Sequence, residues 1–224
     1  MDDFRTPPTS TADTEWLINS VAHALRNTLF AALLKAEMLA RSTGSREAQG
    51  LYDTLRNLER LVDEMLLFGR PTQLEPGPVE VDRLLHRLAE CYGRGERVEP
   101  ARVEVRIAEP GITAIWDADA VRTSLERILD NAVQHTPPPH AVELVAARTG
   151  EQVTITVTDR GPGIDPSIRD RVFEPFFPQH EGRPGLGLAV ARKLVRARGG
   201  EVTLDSAPGR GTTVTVTLPL RTPS

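Results

Sequence analysis

The chain has 224 residues, and its 39% hydrophobic and 26% charged residues are typical of a soluble protein that buries a core. The net charge is −4 and the basic residues are dispersed, so nothing favours a nucleic-acid partner. The single cysteine, Cys91, excludes an internal disulfide and a multi-cysteine metal site, and it favours a reducing compartment. No apolar run approaches the roughly 18 residues that a membrane helix needs. No secretory leader is visible either, so we expect a cytoplasmic protein without a membrane segment in this chain.

Two amphipathic helices are predicted early in the chain, after a polar tail at 1–11 that we expect to be disordered. One apolar stripe steps by three and four residues, through Ile18, Ala22, Leu25, Leu29, Ala32, Ala36 and Leu39. A turn at 41–47 contains Gly44, and a second stripe follows it through Leu51, Leu55, Leu58, Val62 and Met65. Residues 12–71 should therefore form an antiparallel helical hairpin. Because two helices cannot enclose a core, we predict that the hairpin pairs with a second copy into a homodimeric four-helix bundle.

The segment 72–78 is rich in turn-forming residues and is predicted to link the hairpin to a second domain at 79–222. In that domain we predict strands at 79–81, 103–107, 113–116, 141–147 and 152–158, helices at 82–92, 118–134 and 188–198, and a closing hairpin of 201–206 with 212–220. Strands interleaved with three helices favour an α+β sandwich, with the helices on one face of a sheet.

A candidate ligand site lies between positions 156 and 188. Asp159 follows a predicted strand, and Gly161 and Gly163 come directly after it. A second group of glycines, which includes Gly185 and Gly187, precedes a predicted helix. Glycines before a helix let the backbone approach a ligand closely and present free N–H groups to an anion. An acid at a strand end together with such a cradle indicates a nucleotide pocket, although a glycine group alone is more often an ordinary turn.

Five motifs of the second domain occur in the order found in bacterial histidine kinases. Residues 126–137, 159–163, 173–177, 182–188 and 209–212 resemble the N box, the first glycine box, the F box, the second glycine box and the terminal glycine-threonine element of that family. In the hairpin, residues 23–29 resemble its H box. The chain therefore resembles the catalytic core of a histidine kinase, a dimerisation and phosphotransfer hairpin followed by an ATP-binding domain of the Bergerat type.

The resemblance implies ATP and Mg²⁺ as cofactors. Asp159 would accept a hydrogen bond from the adenine amino group, and Gly161 and Gly163 would admit the base. Asn131 would ligate Mg²⁺, a hard cation that takes oxygen ligands, with Glu126 as a weaker candidate. The other nucleotide contacts that the resemblance implies are Phe176, in a mobile lid at 164–184, and Arg183, Gly185, Leu186, Gly187, Leu188 and Thr212. Together with Phe173 and Phe177, Phe176 either anchors that lid or belongs to the plain core.

In the hairpin, the resemblance makes His23 the phosphoryl acceptor and a response-regulator receiver domain the partner. A neutral imidazole offers a nucleophilic lone pair. His23 lies about 100° around the helix from Ala22 and so points away from the apolar stripe. Asn27, one turn later, either orients a water that dephosphorylates the response regulator or is an ordinary surface residue. Phe30 and Leu34 on the same face form either a docking patch for that partner or flank packing in the dimer.

Several positions depart from the family pattern. Ala24 stands where the family has the acid that takes the imidazole proton, and loss of a general base typically costs about 10²–10⁴ in rate. By helix height, Asp63 or Glu64 of the second helix is a candidate replacement for that base. Thr28 replaces the usual proline, and Arg127 replaces an earlier asparagine of the N box.

Three functions remain open at this stage. The leading one is a protein-histidine kinase that phosphorylates His23 and passes the phosphoryl group to a response-regulator aspartate. The second is a kinase-impaired, ATP-binding scaffold or phosphatase for a response regulator, which Ala24 favours and the intact glycine motifs disfavour. The third is a gyrase-like ATPase or a serine-directed kinase, which the hairpin with His23 and Asn27 disfavours.

Overall fold

The computed structural model describes residues 11–69, 75–94, 102–177 and 185–221, in two compact units. The first unit contains the first two helices of the chain together with residues 185–186, and the second contains the strands that the structure describes. Within these ranges, no helix combines the length and the apolar character that crossing a bilayer would require.

A short turn joins the two helices of the first unit, α1 (Thr11–Thr43) and α2 (Arg46–Gly69). Gly44 ends α1 with a φ of 62°, and its N–H donates to the Ala40 carbonyl at 3.0 Å, a common glycine termination. Ser45 caps the start of α2, and its hydroxyl accepts the N–H of Ala48 at 3.1 Å. The turn is therefore shorter than the predicted break at 41–47, and α1 already includes the last residue of the predicted tail.

The buried face of this hairpin is narrower than the predicted stripes. Its core consists of Ala22, Leu29, Leu33, Val62 and Leu66. Four residues of the predicted stripes are instead nearly half exposed: Leu25, Leu39, Leu51 and Leu58. A single neighbouring helix covers only the sector that faces it, so the wider stripes leave apolar side chains uncovered in one chain. The pairing with a second copy that would cover them stays a prediction.

Strands and helices alternate in the second unit. Its helices are α3 (Val81–Gly93), α4 (Ala118–His135) and α5 (Gly187–Arg196), with a short 3-10 helix at Arg169–Phe173. Its strands are β1 (Gly77–Glu80), β2 (Val103–Ile107), β3 (Thr113–Trp116), β4 (Val142–Thr149), β5 (Gln152–Thr158), β6 (Glu201–Ser206) and β7 (Thr212–Pro219). The elements predicted from the sequence agree with these bounds to within about two residues.

One mixed sheet has the strand order β2-β4-β5-β7-β6, and β1 pairs with β3 separately. In the large sheet β2 and β4 run parallel, and the other neighbours run antiparallel. Val153, Ile155 and Val157 of β5 are buried, and the register places Ile155 between the buried Ala146 and Val216. These residues share a single core with apolar residues of all three helices. The helices therefore cover one face of the sheet, which confirms the predicted α+β sandwich.

A buried ion pair joins three segments of the second unit. Arg198, two residues after α5, is 1% exposed, and its Nη2 lies 3.1 Å from Oδ2 of Asp117. Asp117 also caps α4 by accepting the N–H of Ala120 at 3.0 Å, and it accepts the N–H of Glu75 at 3.2 Å. Burial alone would raise the pKa of Asp117, but the two N–H groups and the guanidinium outweigh it and hold that pKa below its ordinary value.

Replacing Arg198 with Met should destabilise the second unit, because Asp117 would stay buried without its cation. We expect the free energy of unfolding at pH 7 to fall by about 3 kcal/mol, as measured by urea denaturation. The difference in the free energy of unfolding between wild type and variant should shrink on acidification. A carboxyl whose pKa is lowered in the folded state stabilises the protein above the ordinary carboxyl pKa, and this stabilisation is lost as the pH falls through the lowered pKa.

The matched control for this variant is Arg148→Ala, which breaks an exposed ion pair with Glu151. It should change the free energy of unfolding by less than about 0.5 kcal/mol. Equal effects of the two substitutions would contradict a structural role for the buried pair.

Candidate functional site

Asp159 directly follows the last residue of β5 and is 5% exposed. Its Oδ1 accepts two backbone hydrogen bonds, from the Gly161 N–H at 2.8 Å and from the Thr212 N–H at 3.1 Å. The N–H of Asp159 in turn donates to the Thr212 carbonyl at 2.8 Å. These bonds hold the carboxylate against the start of β7. Both N–H donors use Oδ1, so Oδ2 keeps lone pairs for another donor.

Burial raises the pKa of the Asp159 carboxyl above its ordinary value. The N–H groups of Gly161 and Thr212, and the Thr212 hydroxyl, act in the opposite direction because they stabilise the charged form. They do not cancel the effect of burial, so ionising this carboxyl costs the folded protein stability. Carboxyls held in this way are more common at functional sites than elsewhere.

Three glycines allow the backbone around Asp159 to pack closely. A Cβ on Gly163 would lie 2.0 Å from a carbonyl oxygen of the β6–β7 turn, and one on Gly211 would lie 2.1 Å from the Asp159 carbonyl oxygen. Both glycines have a φ of 73°, which disfavours other residues. A Cβ on Gly161 would lie 2.7 Å from the His135 carbonyl oxygen, at the end of α4. The loop after β5, the β6–β7 turn and α4 therefore meet beside the carboxylate.

Asn131 is partly exposed on α4, one turn before His135, and so lies near the end of α4 that contacts Gly161. An amide oxygen suits Mg²⁺, which in nucleotide sites takes one or two protein ligands and phosphate oxygens. The described residues form no cluster of three His, Cys, Asp or Glu side chains that could hold a metal by itself. Asn131 therefore fits a phosphate-bound Mg²⁺, whereas Glu126 is paired with Arg122 at 2.9 Å. The Mg²⁺ role stays a prediction.

The start of α5 has the open backbone that the glycine motif predicts. Gly187 is its first residue, and no other described part of the chain lies within 4 Å of the place that a Cβ would occupy. Gly185 has a φ of 66°, and Leu186 and Leu188 are buried. An open helix N terminus presents N–H groups to an anion. Arg183 lies outside the described residues.

The described part of the predicted lid is anchored at Phe173. This residue is 6% exposed, and Arg192 of α5 donates to its carbonyl at 2.9 Å and lies 5.0 Å from its ring centroid. Phe177 contacts the guanidinium of Arg171 at 4.5 Å from its ring centroid. Phe176 is 46% exposed with a φ of 62°, a conformation that costs a non-glycine residue free energy. Phe173 therefore belongs to the core, and the contact of Phe176 with a nucleotide stays a prediction.

Three predicted residues of α1 have side chains outside the described part of the structure: His23, Ala24 and Asn27. On α2, Asp63 is paired with α1, because its Oδ1 lies 3.0 Å from Nη2 of Arg26. Arg26 follows His23 by about one turn, so in an antiparallel hairpin His23 is level with residues about one turn after Asp63. Asp63 and the partly buried Glu64 are therefore within about one helical turn of the level of His23, as the sequence predicts. Their role as a base stays a prediction.

Ser206, the last residue of β6, has no predicted role, although its hydroxyl connects two parts of the site. It is 5% exposed, accepts the N–H of Ile164 at 2.9 Å and donates to the Gly211 carbonyl at 2.8 Å. Its Oγ also lies 3.0 Å from Oγ1 of Thr212. A serine before a glycine-rich turn has no distinctive signal, and Ile164 is 42 residues away in the chain.

A family model matches the larger part of the second unit. Residues 116–222 match the family model described as histidine kinase-, DNA gyrase B-, and HSP90-like ATPase. The match includes Asn131, Asp159 and Thr212, and it extends from the end of β3 to the end of β7.

Curated relatives match most of the chain. The sensor-like histidine kinase SenX3 of Mycobacterium tuberculosis is 30% identical over 90% of this chain and 53% of its own length. The adaptive-response sensory kinase SasA of Synechococcus elongatus is 30% identical over 92% of this chain and 59% of its own length. The sensor protein DivL of Caulobacter vibrioides is 28% identical over 90% of this chain and 27% of its own length. The chain thus spans about a quarter to three fifths of these relatives.

Solved structures give the same result. Full-length ShkA in complex with AMPPNP has a TM-score of 0.76 at 27% identity, over 91% of this chain and 45% of that one. The mycobacterial sensor histidine kinase MprB has a TM-score of 0.57 at 29% identity, over 65% of this chain and 97% of that one. Residues 116–222 therefore match the model of the histidine kinase-, DNA gyrase B- and HSP90-like ATPase family, and most of the chain is similar to proteins named as sensor histidine kinases.

Proposed function

We propose that this chain is the catalytic core of a protein-histidine kinase, which phosphorylates His23 from ATP and passes the phosphoryl group to an aspartate of a response regulator. The observation that carries the proposal is the carboxylate of Asp159, buried at a strand end with one oxygen held by backbone N–H groups. The relatives support the class of reaction, since they are named as sensory kinases, and ShkA was crystallised in complex with AMPPNP.

The site suits adenine in particular. An ionised carboxylate only accepts hydrogen bonds. It therefore pairs with the exocyclic amino group of adenine and repels the carbonyl oxygen that guanine has at the same ring position. In this proposal Oδ2 of Asp159 accepts from the amino group, and the backbone of Gly161 and Gly163 borders the base.

The triphosphate would be held mainly by backbone groups and a metal. N–H groups at the start of α5 face the phosphates, where Gly187 leaves space. Asn131 would ligate Mg²⁺, and the bound ion would neutralise charge on the phosphate oxygens. Arg127, one turn before Asn131 on α4, is a further cation for the same phosphates.

Phosphoryl transfer needs a nucleophile and a proton acceptor. A neutral imidazole nitrogen of His23 attacks the γ-phosphorus, the bond from that phosphorus to the β,γ-bridging oxygen breaks, and ADP leaves. The imidazole proton then passes to a base, which Ala24 cannot be. Asp63 or Glu64 takes that proton in this proposal, because the ion pair with Arg26 holds Asp63 about one turn from the level of His23.

The surface of α1 supports two partners. Phe30 is 61% exposed and Leu34 is 47% exposed, and helical spacing places both on the same side of α1 as His23. We assign this side to the response regulator, since exposed apolar side chains beside a reactive residue suit a protein partner. Leu25 and Leu39 lie on the other side of α1, which we assign to a second copy of the chain.

A second candidate function is a kinase-impaired, dimeric, ATP-binding phosphatase or scaffold for a response regulator. Ala24 favours it, because the acid that would take the imidazole proton is missing next to His23. Asn27 supports it as well, since an amide one turn after His23 can orient a water for hydrolysis of the phosphorylated partner.

Asp159→Asn should abolish tight ATP binding without unfolding the chain. The new amide oxygen can replace Oδ1, but its NH₂ group then faces the adenine amino group, so ATP affinity should fall about ten- to a hundredfold in calorimetric titrations. Asp205→Asn, an exposed change on β6, is the control and should bind as the wild type does. Unchanged affinity in Asp159→Asn would refute the assignment of the site.

The same pair of proteins tests the raised pKa of Asp159 by thermal melting without nucleotide. At pH 7 the Asp159→Asn variant should melt no lower than the wild type, because it removes a buried charge. The wild type should lose stability relative to the variant as the pH rises from the ordinary carboxyl range through the raised pKa.

Labelling with γ-labelled ATP separates the three functions. A histidine kinase should acquire an acid-labile label. The variant His23→Gln should lose this label, and the exposed control His86→Gln should keep it. Tight ATP binding without label would support the scaffold or phosphatase. Acid-stable label would support a serine-directed kinase and would contradict phosphorylation of His23.

The double variant Asp63→Asn with Glu64→Gln tests the general base. Its labelling rate should fall by about 10²–10⁴, the usual contribution of such a base, while ATP binding stays at the wild-type level. Asp53→Asn with Glu59→Gln changes two other acids of α2 and should label normally. An unchanged rate in the first double variant would rule out both acids.

A further inference from the structure

We propose that Ser206 is a positioning residue of the nucleotide site, whose hydroxyl holds the loop after Asp159 against the β6–β7 turn and so presents the carboxylate to adenine. The inference rests on the proposed binding of ATP. It assigns the selectivity for the base in part to a side chain that touches neither the base nor the phosphates.

The Ser206 hydroxyl uses its hydrogen-bonding capacity on both sides of the site. It accepts from the Ile164 N–H at 2.9 Å, on the loop, and donates to the Gly211 carbonyl at 2.8 Å, on the turn. Its Oγ lies 3.0 Å from the hydroxyl of Thr212, whose backbone N–H donates to the Asp159 carboxylate at 3.1 Å. Polar contacts of Ser206 therefore reach the loop amide on one side and, on the other, the residue that donates to the carboxylate.

Two further contacts between loop and turn are made by backbone atoms. The Gly209 N–H donates to the Pro162 carbonyl at 2.7 Å, and Gly163 packs against the carbonyl of Ala207. These backbone contacts form only while the loop and the turn lie side by side. The buried hydrogen bonds of the Ser206 hydroxyl hold the two segments in that position. Without the Ser206 hydroxyl, a loop N–H and a turn carbonyl would lose their partner where little water can replace it.

The position of the Asp159 carboxylate depends on the same two segments. Its Oδ1 accepts one N–H from the loop, at Gly161, and one from the start of β7, at Thr212. If the loop separates from the turn, these two donors move apart and no longer define one orientation of the carboxylate. Oδ2 then loses its direction toward the adenine amino group, while contacts to the phosphates are unaffected.

Ser206→Ala tests this inference with two nucleotides, ATP and purine riboside triphosphate, which lacks the amino group. The dissociation constant for ATP should rise about tenfold, the usual effect of a lost buried hydrogen bond, and that for the analogue should change less than about threefold. The matched control is Ser124→Ala, which removes another buried serine hydroxyl, bonded to the Ala120 carbonyl at 2.7 Å on α4. This control should leave both constants unchanged, and Ser206→Thr, which keeps the hydroxyl, should restore ATP binding.

Hydrogen exchange in the nucleotide-free chain provides the second measurement. The Ile164 amide should exchange faster in Ser206→Ala than in the wild type or in Ser124→Ala. Unchanged exchange would overturn the anchoring step, and wild-type preference for ATP over the analogue in Ser206→Ala would overturn the positioning role. An equal loss of both nucleotides would also overturn it, because it would indicate a general structural defect. Failure of the wild-type chain to bind ATP would instead refute the proposed function. This measurement uses no variant, so it distinguishes that outcome from a failure of the Ser206 inference.

Discussion

Two backbone N–H groups donate to the same oxygen of the Asp159 carboxylate, and the strands and glycines around this residue bring those two donors together. Gly161 donates from two residues away, whereas Thr212 donates from 53 residues away. The second donor is in reach because β5 and β7 are neighbours, with Thr158 opposite Thr213. An ionised carboxylate is unfavourable in a buried place without such donors. The sheet register is therefore a condition for any function of this residue.

A buried ion pair remote from Asp159 helps to determine how α4 and α5 pack against each other. Asp117 caps the start of α4, and Arg198 lies just beyond the end of α5, so their ion pair shows that the helices run antiparallel. The end of α4 and the start of α5 consequently lie at the same end of the helix pair. These are the ends that carry Asn131 and Gly187, which the nucleotide proposal needs together. A buried pair remote from the ligand thus contributes to the shape of the site.

Much of the second unit could be predicted because its signals are local. The alternation of valine, isoleucine and threonine defined β5, and glycines and prolines bounded the helices, since these effects act over a few residues. The hairpin was less predictable. Periodicity identified both helices, but it placed Leu25 in the core, where the structure buries Leu33 instead. A wide apolar stripe does not state which of its sectors faces the partner helix.

The amino-acid sequence by itself determined the order of the elements, the acid at the end of β5 and the glycine groups beside it, because each depends on neighbouring residues and on backbone geometry. Only the tertiary structure decided that Ser206 joins the loop to the turn, that Arg198 is buried against Asp117, and which leucines of the hairpin are covered. Each of these contacts joins residues that sheet register or helix packing brings together. Because the partners are far apart along the chain, local sequence patterns do not predict their contact.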